Sequence, residues 1–341
     1  MMIRVGVIGF GYWGPNLVRN FNAIENAEVL WVADLKEERR TLAQRLYPHV
    51  QVTANPEEVI QDPKVDAILI ATPIFAHYEL AKKALQEGKH VLVEKPLTSR
   101  SEEAEELVEL AERKNLVLLV DHTFIYTGAV QKIKELIESG SLGKILYFDS
   151  IRVNLGLFQP DVNVLWDLAP HDLSILEYLL DLKPEGVVAT GASHYNPDLE
   201  NIAYLTLYYP NDVIAHINVS WLAPVKIRLL VLGGTKKMIV YDDTEPSEKV
   251  KVYDKGVEVL QNGMPNEHLY RFLVEYRTGD MWAPKLSSKE ALRTEAEHFV
   301  ECIEKGTKPL TDGAFGLRIV KILEAATQSL KKRGQFVPLD L

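Results

Sequence analysis

A glycine fingerprint constrains the start of this chain: Gly9-Phe10-Gly11-Tyr12-Trp13-Gly14 follows the apolar run Ile3-Arg4-Val5-Gly6-Val7-Ile8 and precedes a helix-like stretch. An acid, Asp34, closes a second apolar run 20 residues after the last glycine. A lone G-x-G-x-x-G is weak, but in this strand–turn–helix–strand–acid context it is specific. Gly9 allows the tight turn, Gly11 lets a pyrophosphate approach the backbone, and Gly14 lets the helix lie close to the strand. The pyrophosphate then meets free N–H groups and the positive end of a helix. Phe10, Tyr12 and Trp13 complete the cofactor-binding loop. Asp34 is suited to accept hydrogen bonds from both adenosine ribose hydroxyls and to repel a 2′-phosphate, which points to NAD rather than NADP. An NADP reading would rest on Lys36, Arg39 and Arg40.

The pattern around the fingerprint continues as alternating strands and helices. Apolar runs at 2–8, 28–33, 66–71, 90–93 and 116–120, with a short one near 50–53, are separated by helical stretches at 14–23, 36–46, 75–87 and 101–114. This alternation predicts a doubly wound parallel sheet. The acid-rich start of 101–114 reads as a solvated helix face, with acids placed in the first turn. After about residue 122 the pattern changes, so the expected domains are 1–122 and 123–341. A helix near 127–138, an apolar run at 144–153, a loop at 154–165 and a helix at 168–181 come first. Strand-like segments at 185–195, 201–209, 213–221, 226–233 and 236–241 follow without intervening helices, which predicts a mostly antiparallel sheet. Helices near 287–305 and 313–332 close the chain. The fold class is α/β followed by α+β. One sheet face should pack on helices. The other, assigned Val219, Trp221, Leu229 and Val231, is apolar enough to need cover, such as a second subunit.

The chain of 341 residues carries a formal net charge of −10, which argues against nucleic acid or an anionic membrane as partner. Its single cysteine, Cys302, excludes a disulfide framework or a cysteine metal site and reads as a buried filler. No apolar run is long enough to cross a bilayer, and the fingerprint begins too early to leave room for a signal peptide, so the expected location is cytoplasmic.

Three segments carry candidate chemistry. Glu94-Lys95-Pro96 follows the apolar strand at 90–93, which puts Lys95 at the mouth of the cofactor crevice and restricts it through the proline. On position alone, an ordinary surface lysine is an equal alternative. Ala71-Thr72-Pro73, with His77 four residues on, follows another strand end, where Thr72, Pro73 and His77 would line the cleft beside Glu94 and Lys95. In Asp167-Leu168-Ala169-Pro170-His171, the acid and the imidazole are four apart and share a helix face. A carboxylate there can fix a tautomer and raise basicity. Asp167 as a helix N-cap, with Pro170 in the first turn, is the bland alternative.

Together these residues resemble the Gfo/Idh/MocA family of NAD(P)-dependent sugar oxidoreductases over essentially the whole chain. The resemblance rests on Gly9-Phe10-Gly11-Tyr12-Trp13-Gly14, Ala71-Thr72-Pro73, the segment from Gly88 to Pro96, Asp167-Leu168-Ala169-Pro170-His171-Asp172, and Pro309-Leu310-Thr311-Asp312-Gly313. It implies a Rossmann domain, an open-faced sheet domain, and homodimers or homotetramers formed through that sheet. It also implies that Lys95 hydrogen-bonds the substrate oxygen and stabilises a developing alkoxide, that His171 is the general acid/base at the same carbinol, and that Asp167 positions His171 or touches a neighbouring substrate hydroxyl. Which of Lys95 and His171 takes the proton varies in the family.

Where many members carry an arginine- and asparagine-rich segment, this chain reads Asp121-His122-Thr123-Phe124-Ile125-Tyr126, so His122 and Tyr126 are expected to face substrate instead. The Tyr-Trp-Gly-Pro-Asn opening and the Leu-Trp-Asp-Leu-Ala-Pro-His-Asp segment resemble the branch that oxidises a ring hydroxyl, typically C3, of a sugar nucleotide. Arg152 and Asn154, with Lys226 and Arg228 behind them, are the candidate contacts to a diphosphate. The expected function is an NAD-dependent dehydrogenase that oxidises a ring hydroxyl of a sugar or sugar nucleotide, with nucleotide-linked sugars ahead of a free-sugar or inositol dehydrogenase, and two readings of other classes share these residues. One is a redox-neutral, NAD-assisted hydrolase or lyase; the other is a non-catalytic NAD-binding protein, against which the joint presence of Lys95, Asp167 and His171 argues. No metal is expected.

Overall fold

Where β1 (Ile3–Ile8) ends and the chain turns into α1 (Gly14–Asn22), the local sequence dictates both elements. Leu17, Val18 and Phe21 supply the buried stripe of the helix, and Pro15 sits in its first turn, where a missing N–H costs nothing. In the computed structural model, which describes residues 2–341 apart from 157, 160, 161 and 260–273, contacts divide the chain into two units. The first is Met1–Thr127 with Lys289–Glu324; the second is Gly128–Ser288 with Ala325–Leu341.

In the first unit β1 is joined by β2 (Ala27–Ala33), β3 (Gln51–Thr53), β4 (Ala67–Ile70), β5 (His90–Glu94) and β6 (Leu118–Asp121). All pair in parallel, in the order β3-β2-β1-β4-β5-β6. The strand order reverses between β1 and β4, and the crevice at their carboxyl ends is where ligands bind in such sheets. The crossovers carry α1, α2 (Glu37–Leu46), α3 (Pro56–Gln61), α4 (His77–Gln86) and α5 (Ser101–Lys114). The doubly wound expectation holds, and α5 coincides with the stretch read at 101–114.

The second unit begins with α6 (Gly128–Glu138), β7 (Ile145–Leu155) and α7 (Val164–Leu179). There follow β8 (Gly186–Ala192), β9 (Ile202–Tyr208), β10 (Ile214–Ser220), β11 (Leu222–Gly234), β12 (Met238–Asp242), β13 (Val250–Val259) and β14 (Val274–Trp282). After α8 (Ala291–Lys305) and α9 (Gly313–Lys331), the short β15 (Val337–Pro338) closes a sheet in the order β14-β13-β12-β11-β7-β10-β9-β8-β15. The sheet is antiparallel except where β7 pairs with β10. β13 and β14 were not expected; residues 260–273 between them lie outside the described residues.

Two expectations are corrected. Val219, like Ala215 and Ile217, is 0% exposed on the covered face, and Trp221 is 1% exposed. Leu229 and Val231 lie opposite Ile151 and Asp149 on the other face, which also presents Tyr204, Tyr208 and Ile214 to solvent. The domain division is also discontinuous. Leu292, Ala296, Phe299, Val300 and Cys302 of α8 join one core with Val5, Val7, Leu17 and Phe21. Phe299 meets Phe21 edge-on at 6.1 Å, and Arg19 holds Glu290 through two hydrogen bonds of 2.5 and 2.9 Å. Apolar burial therefore assigns α8 to the first unit despite its distance in sequence.

Candidate active site

The three fingerprint glycines differ in what a Cβ would meet. At Gly9, φ is +98° and a Cβ would sit 2.4 Å from the Ala71 carbonyl oxygen. At Gly14 it would sit 2.1 Å from the Gly9 oxygen. Both positions exclude a side chain by contact with backbone. At Gly11 the nearest atom is the flexible end of Arg39, at 3.3 Å, so this glycine leaves an open approach to the backbone, the geometry a pyrophosphate needs. Asp34 directly follows β2 beside this loop, 8% exposed. Its carboxylate accepts from the Phe10 N–H at 2.7 Å and the Lys36 N–H at 2.8 Å, and faces Arg39 at 3.3 Å. Arg40 donates instead to the carbonyls of Asp34 and Leu35. Asp34 thus occupies the cation that a 2′-phosphate would require. These residues fit NAD.

Tyr12 projects from the loop, 92% exposed. Trp13 turns inward, and its indole Nε1 donates to Asp121 Oδ2 at 2.6 Å. Asp121 ends β6 in register with Glu94 of β5, so the phosphate loop and the ends of two strands share one carboxylate. Glu94 accepts from the Lys95 backbone N–H at 3.0 Å. Burial, and next the charge of Asp121, raise the Glu94 pKa well above the usual carboxylate range. The Lys95–Pro96 peptide is cis. His77, 1% exposed, is turned away from the cleft that it was expected to line. Its Nδ1 lies 2.9 Å from the Pro96 carbonyl and its Nε2 2.9 Å from the Thr72 carbonyl; the ring stands between the segments after β4 and β5, and when neutral it donates to one of the two carbonyls. Burial holds the His77 pKa below the ordinary range, against the pull of those carbonyls.

His122 and Tyr126 are also corrected, because both are enclosed. His122 is 1% exposed, its ring meets Phe315 at 5.5 Å, and neither ring nitrogen has a hydrogen-bond partner. Burial, reinforced by the charge of Lys95, pushes its pKa down to about 3, so the ring is neutral. Tyr126 is 4% exposed, and its hydroxyl meets that of Thr311 at 3.1 Å.

In the second unit α7 begins earlier than read. Asn163, not Asp167, is its N-cap and accepts from the Trp166 N–H at 3.2 Å, while Pro170 lies inside the helix. Asp167 is thereby released from capping, and its Oδ2 accepts the Trp221 indole N–H at 3.0 Å. His171, one turn along the same face, is half-buried. Asn154 and Trp221 both border Gly156, and Phe158 packs at 5.3 Å from Trp221 and 5.5 Å from Tyr195. Sequence reasoning missed this aromatic group, because Phe158, Tyr195 and Trp221 follow three different strands and meet only in the fold.

Arg152 does not reach outward as a diphosphate ligand would. It is 5% exposed and holds Asp172 through contacts of 2.6 and 3.2 Å, tying α7 to β7 directly beside His171. Arg228 pairs with Asp243 at 3.1 Å, and Lys226 is exposed.

A profile described as the oxidoreductase family with NAD-binding Rossmann fold, GFO/IDH/MocA, matches residues 3–122, and that of the GFO/IDH/MocA C-terminal domain matches residues 130–240. An uncharacterized oxidoreductase of Escherichia coli is 30% identical over 261 residues, 73% of this chain and 74% of its own. UDP-N-acetylglucosamine 3-dehydrogenase of Acidithiobacillus ferrooxidans is 26% identical over 328 residues, 93% of this chain and 94% of its own. The structure of levoglucosan dehydrogenase in complex with NADH and levoglucosan has a TM-score of 0.84 at 21% identity, covering 100% of both chains, a likeness of fold. Among the described residues no helix is long and apolar enough to cross a membrane and no side-chain cluster could hold a metal ion. The chain belongs to the Gfo/Idh/MocA family of NAD-binding oxidoreductases.

Proposed function

We propose that the protein is an NAD-dependent dehydrogenase that oxidises a ring hydroxyl, C3 in the leading case, of a sugar or sugar nucleotide. The observation that carries the proposal is the fixed relation between the glycine loop and the Lys95 segment, which meet at Asp121 through Trp13 and Glu94. The similarity to a UDP-N-acetylglucosamine 3-dehydrogenase supports the substrate class and ring position.

Bound NAD supplies a hydride acceptor. The chain supplies the rest. Lys95 hydrogen-bonds the reacting oxygen and stabilises the alkoxide left as its O–H proton departs, the charge that is consumed when the carbon gives up its hydride and becomes a carbonyl. His171 acts on the same hydroxyl as general acid/base, and the proton of the alcohol passes to one of these two bases. Asp167, held by Trp221, sets the helix face on which His171 stands. Phe158 and Tyr195, partly exposed beside Trp221, offer ring faces to a sugar or a base. Thr72 and Pro73 lie against the cofactor, with His77 behind them. Asn154 contacts the substrate, and exposed Lys226 replaces Arg152 as the cation for a diphosphate. A second copy of the chain covers the open sheet face of Tyr204, Tyr208 and Ile214, giving a homodimer or homotetramer. The proposed location is cytoplasmic.

The test mixes stoichiometric enzyme and NAD with sugar nucleotides, free sugars, inositols and sugar phosphates in a single turnover. Nicotinamide fluorescence rising with one class, and not in Lys95→Met, is the expected result. Bond cleavage without net NADH would identify the redox-neutral reading, and silence despite NAD binding would count against dehydrogenation of any of these classes. Asp34→Ser should weaken NADH binding by about tenfold, since it removes charge-assisted hydrogen bonds to the ribose, and should narrow the gap with NADPH. Fluorescence titration of both nucleotides checks this.

A further inference from the structure

Three carboxyl groups meet inside the first unit: Glu94 at the end of β5, Asp121 at the end of β6 and Glu295 on α8. Glu295 is 0% exposed, and neither carboxyl oxygen has a hydrogen-bond partner. Asp121 receives the two nearby side-chain donors, the Trp13 indole and the Thr123 hydroxyl. Glu94 stands in register with Asp121, and Glu295 is buried in the same cluster with no donor of its own; carboxyl groups packed together away from water are accommodated by keeping a proton among them.

We propose that Glu295 is a positioning residue for the cofactor: as a neutral acid it donates to Asp121, which leaves that carboxylate free to hold the Trp13 indole and thereby fix the glycine loop. Burial, then the charge of Asp121, raise the Glu295 pKa well above the ordinary range, consistent with a retained proton. The titratable and charged groups around it are Asp121 and Glu94 from the strand ends and Tyr126 from the turn after β6; Lys95 faces Glu94.

The sign follows from the charge. Rising pH removes the shared proton, sets a second anion against Asp121, and loosens the hold on Trp13, so NAD affinity falls. This inference rests on NAD binding by the wild-type protein and not on the identity of the sugar; absence of NAD binding would overturn the cofactor assignment instead.

The test measures the dissociation constant for NADH by fluorescence from pH 6 to pH 10. Glu295→Gln keeps a permanent donor in the same shape. It should bind NADH as tightly as wild type at neutral pH and lose the wild-type decline at alkaline pH. Glu295→Leu should bind NADH about tenfold more weakly than wild type at neutral pH, the scale of one charge-assisted hydrogen bond, and should show no further decline at alkaline pH. Trp13→Phe removes the indole donor to Asp121 and leaves all three carboxyl groups in place. It should weaken binding comparably, and it carries the test alone if Glu295→Leu does not fold. A Glu295→Gln profile parallel to wild type, or wild-type affinity in Trp13→Phe, would overturn the proposal.

Discussion

Lys95→Met is expected to lower the rate of hydride transfer by about 10³-fold or more while NAD still binds. Removing an electrostatic stabiliser of developing charge costs about 10²–10³, and removing a proton-transfer partner costs about 10²–10⁴. Groups acting on one oxygen do not contribute additively, so the larger single effect sets the floor. Methionine keeps most of the apolar stem, which separates loss of charge from loss of packing. The same change has a readout independent of turnover. The Lys95 charge depresses both His122 and Glu94, so its removal must raise the His122 pKa from about 3 and raise Glu94 further. NMR titration of the His122 ring would follow this. Turnover within tenfold of wild type would falsify the assigned role of Lys95.

The second large effect concerns the buried pair Arg152–Asp172. Both side chains are 6% exposed, and α7 is fastened to β7 through them. Asp172→Asn takes the facing negative charge away from a buried guanidinium, and breaking a buried pair in this way costs about 3–5 kcal/mol of stability. Replacing both residues, Arg152→Met with Asp172→Leu, should restore most of that loss, because apolar groups of similar size carry no desolvation penalty. Denaturant melts of the two single variants and the double variant form the cycle that measures the coupling. A diphosphate ligand would behave differently: Arg152→Met would then raise KM for nucleotide-linked substrates only and leave the melt unchanged.

The first unit was readable because its signals are local. Gly9, Gly11 and Gly14 fix a turn whose geometry depends on neighbours within a few residues, and the buried strands are short apolar runs. The start of α7 was misread because Asn163 and Asp167 are both acceptable caps, and only the packing of Val164 and Leu165 selects the first. The strand Val250–Val259 was missed although Val250 and Val252 alternate with Lys251 and Tyr253; the polar Asp254-Lys255-Gly256 interrupts the pattern. Arg152 cannot be told from a solvent-facing arginine until Asp172, 20 residues on, is seen against it. Glu295 had a signal that went unused. It falls on the stripe of Leu292, Ala296 and Phe299 at helical spacing, a phase that buries it.

The passage of α8 back into the first unit has a consequence for how the protein is made. A ribosome delivers Met1–Thr127 long before Leu292, Ala296 and Phe299, with the residues from Gly128 to Ser288 in between. At ~5–20 residues per second this interval is on the order of 10–30 s. Throughout it the nascent sheet keeps an uncovered apolar seat beside Phe21, of the kind that holding chaperones recognise. Glu295 arrives in that same late segment. Prematurely terminated chains would therefore display a complete glycine fingerprint without the α8 side chains that complete its core, and should hold the dinucleotide more weakly than finished molecules.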